Sequence, residues 1–246
     1  MSELLFTLPI LMFGAFAHGA LGFGFPLLTT PLLVLGLEIR SAILLTLIPT
    51  VTINFFSILS ETEWKAAIRR FWPIPAFTIV GSFIGTQILL TTDPSPYRLL
   101  LALTVIAYLL SDRIKGTDKE RHVALWGLAL FGLLLGLLAG VVNVFAPLII
   151  IFALETRMKP ELMVTTFNIS FLTSKSGQIA GFVSQGAFHG PEVTFALLAL
   201  PLVLAALWFG IRVRKRIDVE SYNKLLRVVL WVVAVYLIIQ WLMTVI

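Results

Sequence analysis

One apolar segment in the second half of the chain carries a lysine and two amides on one side. Residues 162–182 are apolar enough to form a membrane-crossing helix, yet they include Asn168, Lys175 and Gln178. The spacing of i, i+7 and i+10 places the three side chains near one helical face. A charge inside the hydrocarbon costs a few kcal/mol or more, so it commonly marks a binding site.

The chemistry of this face predicts binding of a small oxyanion. An ammonium group flanked by amide and hydroxyl groups suits a sulfonate, sulfite or carboxylate, to which lysine offers a compact point charge. In the alternative interpretation Lys175 extends to the external headgroups, because it lies only about eight residues from the predicted end of the span.

Two long apolar runs, 4–37 and 123–154, are each interrupted near the middle by residues that break helices. A broken helix frees backbone N–H groups, and a half-helix N-terminus offers them to an anion together with partial positive charge. Gly22 and Gly24 would permit close backbone approach, and Asn143 would add a side-chain amide. The alternative is that these residues only permit tight helix packing.

Two further polar residues are candidates for the same site. His18 adjoins the first break, where it would contact substrate or exchange a proton near neutral pH. Its alternative role is that of a hydrogen-bonded structural residue. Asn54 lies in the predicted span 41–60 and is expected to face the site, whereas the alternative is ordinary hydrogen bonding between helices.

Composition identifies a polytopic membrane protein. The chain has 246 residues, of which 59% are hydrophobic and 13% charged, which is far too apolar for a water-soluble globule of this size. The formal charge of +5 comes from bases in short loops, as orientation signals do, so nucleic-acid binding is not expected. With no cysteine, no metal-ligand spacing and no nucleophile, base and acid constellation, we expect no metal, no cofactor and no enzymatic activity.

Charge counting predicts how the chain crosses the membrane. Ordinary spans are predicted at 41–60, 71–90, 99–110 with its flanks, 162–182, 194–210 and 225–246, and each can cross the hydrocarbon as a helix, which needs about 20 residues. Of the 18 Lys and Arg residues, 14 lie at 61–70, 111–122, 155–161 and 211–224. These loops are therefore cytoplasmic, and 91–98 and 183–193 are external.

The same rule predicts that each broken run is a re-entrant hairpin of two half-helices. A single crossing by residues 123–154 would place the five bases of 211–224 outside. A hairpin keeps them inside, leaves both termini external in the cytoplasmic (inner) membrane, and gives each half three crossings. Halves with an odd number of crossings have opposite orientation, so the predicted all-α fold is an inverted-topology repeat.

The two halves also align residue by residue. The first repeat is 1–110, the cytoplasmic linker 111–122 and the second repeat 123–246. At an offset of 121 the matched pairs are Gly19 and Gly140, Gly22 and Asn143, Pro26 and Pro147, and Asn54 and Lys175. At an offset of 125 they are Gly85 and Gly210, and Tyr97 and Tyr222.

The sequence resembles the TauE/SafE family of membrane transporters, sulfite and organosulfonate exporters. The resemblance rests on Gly14-Ala15-Phe16-Ala17-His18-Gly19-Ala20-Leu21-Gly22-Phe23-Gly24-Phe25-Pro26 and on its second copy, Gly136-Leu137-Leu138-Ala139-Gly140-Val141-Val142-Asn143-Val144-Phe145-Ala146-Pro147. The second copy has Asn143 and Phe145 where many members keep glycines before the proline. Because of this departure, the resemblance does not fix sulfite or a sulfoacetate-like anion as the substrate.

We expect a secondary transporter that exports a small sulfur-containing anion by alternating access, driven by the membrane potential. No Asp or Glu falls inside a predicted span, so the carboxylates that usually couple transport to cations are missing. The alternatives are an importer or exchanger of another small organic anion, and an anion channel. The expected partners are the anion and the lipid bilayer; a homodimer is compatible with the sequence, which does not require one.

Overall fold

The computed structural model describes residues 2–60, 64–110, 123–214 and 219–245, and every regular element within them is helical. The helices are α1 (Ser2–Leu21), α2 (Phe25–Val34), α3 (Ile39–Ser60), α4 (Trp64–Phe71), α5 (Pro73–Thr91), α6 (Ser95–Leu110), α7 (Leu125–Val142), α8 (Ala146–Glu155), α9 (Pro160–Ser184), α10 (Pro191–Val213) and α11 (Val219–Val245). The all-α prediction is confirmed for this part of the chain. The predicted linker 111–122 lies outside the described residues.

Prolines determine where many of these helices begin. A proline occupies the first or second position of α2, α5, α8, α9 and α10. Proline lacks an N–H, which costs nothing in the first turn because the N–H groups there have no intrahelical acceptor, and its fixed φ suits a helix. Proline also disfavours the helical conformation in the residue before it, although Trp72, which precedes Pro73, is helical.

Four helices of the described chain are long and apolar enough to cross a membrane, by length and composition: α3, α5, α7 and α10. Helix α9, which contains the predicted span 162–182, is not among them. Shorter apolar helical stretches occur in α1, α2, α6, α8 and α11. Two loop predictions were wrong. Residues 64–71, placed in a cytoplasmic loop, form the amphipathic helix α4, and the predicted loop 211–224 is helical at both ends because α10 and α11 extend into it.

Each broken run folds back on itself. In the first run, a Cβ placed on Gly36 would lie 3.0 Å from the Phe6 ring, so the end of the run meets its beginning. In the second run, Phe131 and Phe152 stack with their ring centroids 4.6 Å apart. The expected half-helices are unequal, however: α1 and α7 have 20 and 18 residues, whereas α2 and α8 have 10 each.

The halves pack against each other through small residues. Helix α5 packs on α7 and α9, α10 packs on α1 and α3, and α6 packs on α11. A Cβ on Gly85 would lie 3.0 Å from Gly140 Cα, and one on Gly19 would lie 3.1 Å from the Gly210 carbonyl carbon. Backbones approach this closely only where side chains are absent. Since Gly19 aligns with Gly140 and Gly85 with Gly210, the two contacts correspond under exchange of the halves.

Candidate functional site

The second break is built around the backbone of Asn143. This residue ends α7 in the left-handed conformation, with φ 66°, and donates its N–H to the Ala139 carbonyl over 2.8 Å. Asparagine tolerates this conformation better than other residues with a side chain, apart from aspartate. Three residues later α8 starts without a side-chain cap, and Pro147 stands in its first turn. The turn directs the Asn143 amide into the protein.

Asn143 joins three helices to Lys175. The Lys175 ammonium donates hydrogen bonds to Asn143 Oδ1 and to Gln178 Oε1. The Asn143 amide nitrogen donates in turn to Thr30 Oγ1 and Thr46 Oγ1, both over 2.8 Å. Gln178 also donates to the Ala139 carbonyl over 2.9 Å. We call Lys175, Asn143, Gln178, Thr30 and Thr46 the Lys175 cluster.

The Lys175 cluster is closed to solvent. All five side chains are 0% exposed, so Lys175 does not extend to a headgroup region in this conformation. Its two hydrogen-bond partners are neutral amides, and the acids of the described chain lie at helix ends or in loops. The alternative interpretation of Lys175 as a lysine that reaches the membrane surface therefore does not describe this conformation.

The first break has the same backbone geometry. Gly22 is left-handed, with φ 88°, and donates its N–H to the His18 carbonyl over 2.7 Å. Asn168 donates from its amide to the Gly22 carbonyl over 3.2 Å, and His18 Nε2 lies 3.0 Å from Ser57 Oγ. His18 and Asn168 are thus brought to the first break, whereas Lys175, Gln178 and Asn143 meet at the second.

Contacts at the two breaks correspond in detail. The offset of 121 relates His18 to Ala139 and Ser57 to Gln178, so the hydrogen-bonded pair at the first break matches the pair at the second. Helix α3 contacts the first break through Ser57 and the second through Thr46, which comes earlier in the chain. Helix α9 contacts the first break through Asn168 and the second through Lys175, which comes later in the chain. The equivalent helices α3 and α9 therefore run past the breaks in opposite directions.

Two predicted site residues are not tied to these groups by a hydrogen bond. Asn54 is buried, but its amide donates to the Thr50 carbonyl of its own helix over 2.7 Å, and its Oδ1 has no hydrogen-bond partner. Gly24 precedes α2 with φ 107°, and a Cβ there would meet nothing within 4 Å. Asn54 thus aligns with Lys175 in sequence without sharing its contacts.

An aromatic row, which sequence reasoning missed, connects the two breaks. Phe23 stacks on Phe167 with centroids 5.2 Å apart, Phe167 lies 6.5 Å from Phe171, and Phe171 stacks on Phe145 at 4.1 Å. Phe23 belongs to the first break and Phe145 to the second. The rings therefore form a continuous apolar contact from one break to the other, and Phe171 lies between Asn168 and Lys175 on α9.

Other missed residues are Thr30, Thr46 and Ser57. Threonine and serine give little signal because their hydroxyls commonly bond the carbonyl one turn back, as Thr46 does with Ala42 over 3.1 Å. Ser57 could have been found by applying the offset of 121 to Gln178. No group of three or more His, Asp or Glu side chains within the described residues could hold a metal ion.

A comparison with known families gives a match that covers nearly the whole chain. The family model described as sulfite exporter TauE/SafE matches residues 7–237. A comparison with curated proteins found no match, and a comparison with solved structures found none. The family is one of membrane transporters, in agreement with the apolar helices of a multi-pass membrane protein. The chain belongs to the sulfite exporter TauE/SafE family.

Proposed function

We propose that this protein exports a small sulfur-containing anion, such as sulfite or an organosulfonate, across the cytoplasmic membrane by alternating access. The observation that carries the proposal is the Lys175 cluster, in which a fully buried lysine has two neutral amides as its hydrogen-bond partners. A buried ammonium without a counter-charge is costly. An anion would supply that charge.

The surroundings of Lys175 suit an oxyanion. The Asn143, Thr30 and Thr46 side chains offer N–H and O–H donors once their mutual hydrogen bonds open, and α8 begins beside them without a side-chain cap. The partial positive charge of that helix end favours negative charge. In the closed cluster the amide oxygens of Asn143 and Gln178 accept the hydrogen bonds of the Lys175 ammonium. An entering anion would replace these oxygens as the acceptor.

The correspondence between the halves supports an inverted repeat that moves by alternating access. The glycine contacts between α5 and α7 match those between α10 and α1, and α3 and α9 run in opposite directions. In an inverted repeat, exchange of the conformations of the two halves would give a second state of related geometry, which rocking of one half against the other would reach. The closed Lys175 cluster fits a carrier, since a channel needs a continuous open path.

The charge pattern supports export driven by the membrane potential. Within the described residues, acids lie at helix ends or in loops and not beside the Lys175 cluster. An anion that leaves a negatively charged cytoplasm gains about 2.3 kcal/mol per unit charge for each 100 mV. No carboxylate relay is needed for that direction. With both termini external, as charge counting predicts, Lys175 lies on the external side of the midplane.

The proposal is tested by flux in liposomes that contain the purified protein. Sulfite, sulfoacetate, taurine and chloride are compared, with Lys175→Ala and the similarly sized Lys175→Met as variants. Lys65→Ala on the exposed face of α4 is the matched control. We expect saturable flux of the sulfur anions that both Lys175 variants lower at least tenfold and the control preserves. Full anion affinity in Lys175→Met would overturn the role of Lys175, and unsaturable chloride flux would indicate a channel.

A further inference from the structure

Two of the buried side-chain polar atoms that lack a hydrogen-bond partner, His18 Nδ1 and Asn168 Oδ1, belong to residues that contact the first break. The other such atoms in the part of the chain that the structure describes are Asn54 Oδ1, Ser170 Oγ and, on α11, Gln240 Oε1. The amide and ammonium groups of the Lys175 cluster are paired with one another. Unpaired polar atoms are rare in protein interiors because each has lost its hydration. This asymmetry indicates that the first break offers hydrogen-bonding capacity that the protein does not use internally.

A guanidinium lies at the same turn. A Cβ placed on Gly22 would be 3.1 Å from Arg214 Nη2 and 3.2 Å from Val164 Cγ1. Arg214 follows directly after α10 and its side chain is exposed, whereas His18 and Asn168 are buried. Because Gly22 has no side chain, the guanidinium of this surface residue can lie against the buried turn. Asn168 holds the other side of this turn through its bond to the Gly22 carbonyl.

We propose that the first break is a second binding position, at which Arg214 binds the oxyanion group and Asn168 Oδ1 accepts a hydrogen bond from a donor on the same molecule. The guanidinium supplies a planar pair of N–H donors that matches an oxyanion. The amide oxygen can only accept, so it favours a ligand that carries an O–H or N–H group. The ligand class is a small oxyanion with its own hydrogen-bond donor. The choice of sulfur oxyanions rests on the proposed function.

The position of Asn168 makes the first break a loading site, by which we mean a position where the anion binds before it reaches Lys175. The two residues are seven apart on α9, about 10 Å along the helix axis, and the aromatic row lies between them. Charge counting places Arg214 on the cytoplasmic side. An anion from the cytoplasm would therefore bind first at Arg214. It would reach the Lys175 cluster only when the rings of the aromatic row move apart.

The experiment compares two probes of nearly equal size, 2-hydroxyethanesulfonate and ethanesulfonate, which differ by one hydroxyl donor. Flux from the Arg214 side of oriented liposomes is measured for Arg214→Gln, Arg214→Lys and Asn168→Leu. Arg212→Gln is the matched control, because Arg212 lies two residues earlier and its guanidinium stands 3.9 Å from the Trp208 ring centroid. Unfolding temperature in detergent verifies that each variant is folded.

We expect the wild type to have a KM for the hydroxylated probe at least fivefold below that for ethanesulfonate. Asn168→Leu should remove this preference, and Arg214→Gln should raise both KM values at least tenfold with little change in maximal flux. Arg214→Lys should be intermediate and Arg212→Gln unchanged. Equal KM values for the two probes in the wild type would overturn the donor requirement even if Asn168→Leu failed to fold. An unchanged KM in Arg214→Gln would overturn the site.

These outcomes are distinct from those that test Lys175. If Lys175→Met abolishes flux while Arg214→Gln has no effect, the proposed function stands and the loading site is wrong. If Arg214→Gln and Asn168→Leu act as expected while Lys175→Met keeps full affinity, the first break binds anions and the assignment of Lys175 fails.

Discussion

Lys175 and Asn143, 32 residues apart in the chain, are joined by a hydrogen bond from the ammonium to the amide oxygen. The amide nitrogen of Asn143 binds two threonines from the first half of the chain. A single asparagine therefore connects the candidate charge of the second repeat to helices α2 and α3. Substitutions at Asn143 can separate its backbone role from its side-chain role.

We expect Asn143→Asp to weaken anion binding while the protein remains folded. Aspartate also tolerates the left-handed conformation, and its carboxylate would pair with Lys175 and supply the counter-charge that an anion would otherwise bring. Sulfonate affinity should fall at least about tenfold, since one unit of charge at this site is worth more than about 1.4 kcal/mol. Gln185→Glu, an exposed change, is the control. Unaltered affinity would place the bound anion away from Lys175.

Asn143→Gly and Asn143→Ala should both lose flux but differ in stability. Glycine keeps the φ of 66° without strain, whereas alanine pays about 1 kcal/mol for it. Both variants remove the amide that binds Thr30 and Thr46. Thermal unfolding in detergent should therefore give a lower midpoint for the alanine variant than for the glycine variant. The reverse order would mean that the left-handed backbone at position 143 contributes less to the stability difference than the packing around the side chain.

Alanine at either of two equivalent glycines should destabilise the packing between the halves. A Cβ on Gly140 would lie 2.6 Å from the Ser82 carbonyl oxygen, and one on Gly19 would lie 2.4 Å from that of Leu207. Because backbone must move in both cases, we expect a loss of about 1–3 kcal/mol for Gly140→Ala and for Gly19→Ala. Gly127→Ala is the control, since its Cβ would meet only a Val123 methyl group. Chemical unfolding in mild detergent measures the difference.

Phe171→Ala should make transport leaky. Its ring stacks on Phe145 with centroids 4.1 Å apart, in the aromatic row that we expect to separate the two breaks. Removal of the ring would join the polar groups on both sides, so passive anion leak should rise while saturable transport falls. Phe77→Ala, an exposed phenylalanine on α5, is the control. Leak no greater than that of the control would exclude the aromatic row as a barrier.

The inverted orientation of the halves has a direct chemical test. The chain contains no cysteine, so Lys159→Cys and His189→Cys each introduce a single exposed thiol at opposite ends of α9. We expect an impermeant maleimide to label His189→Cys from outside intact cells and Lys159→Cys only after the membrane is opened. Labelling of both from the same side would contradict the inverted repeat, whatever the substrate.

The sequence by itself determined the elements and their breaks. Apolar runs of membrane-crossing length predict helices because the bilayer leaves the backbone no other partners, and prolines mark where many of them begin. The offset of 121 paired Gly22 with Asn143, and both adopt a left-handed backbone. These features depend on residues close together in the chain, so a local pattern is sufficient to predict them.

Only the tertiary structure decided which side chains meet. Asn54 and Lys175 align in sequence, yet Asn54 bonds its own helix while Lys175 reaches Asn143. Whether a polar side chain meets a partner depends on the rotation and crossing of packed helices, and on bonds such as that from Asn143 to Thr30, 113 residues away. Helical periodicity predicts which residues share one face of a helix, but not which helix packs against that face. For this reason residues predicted to form a single site lie at two separate breaks.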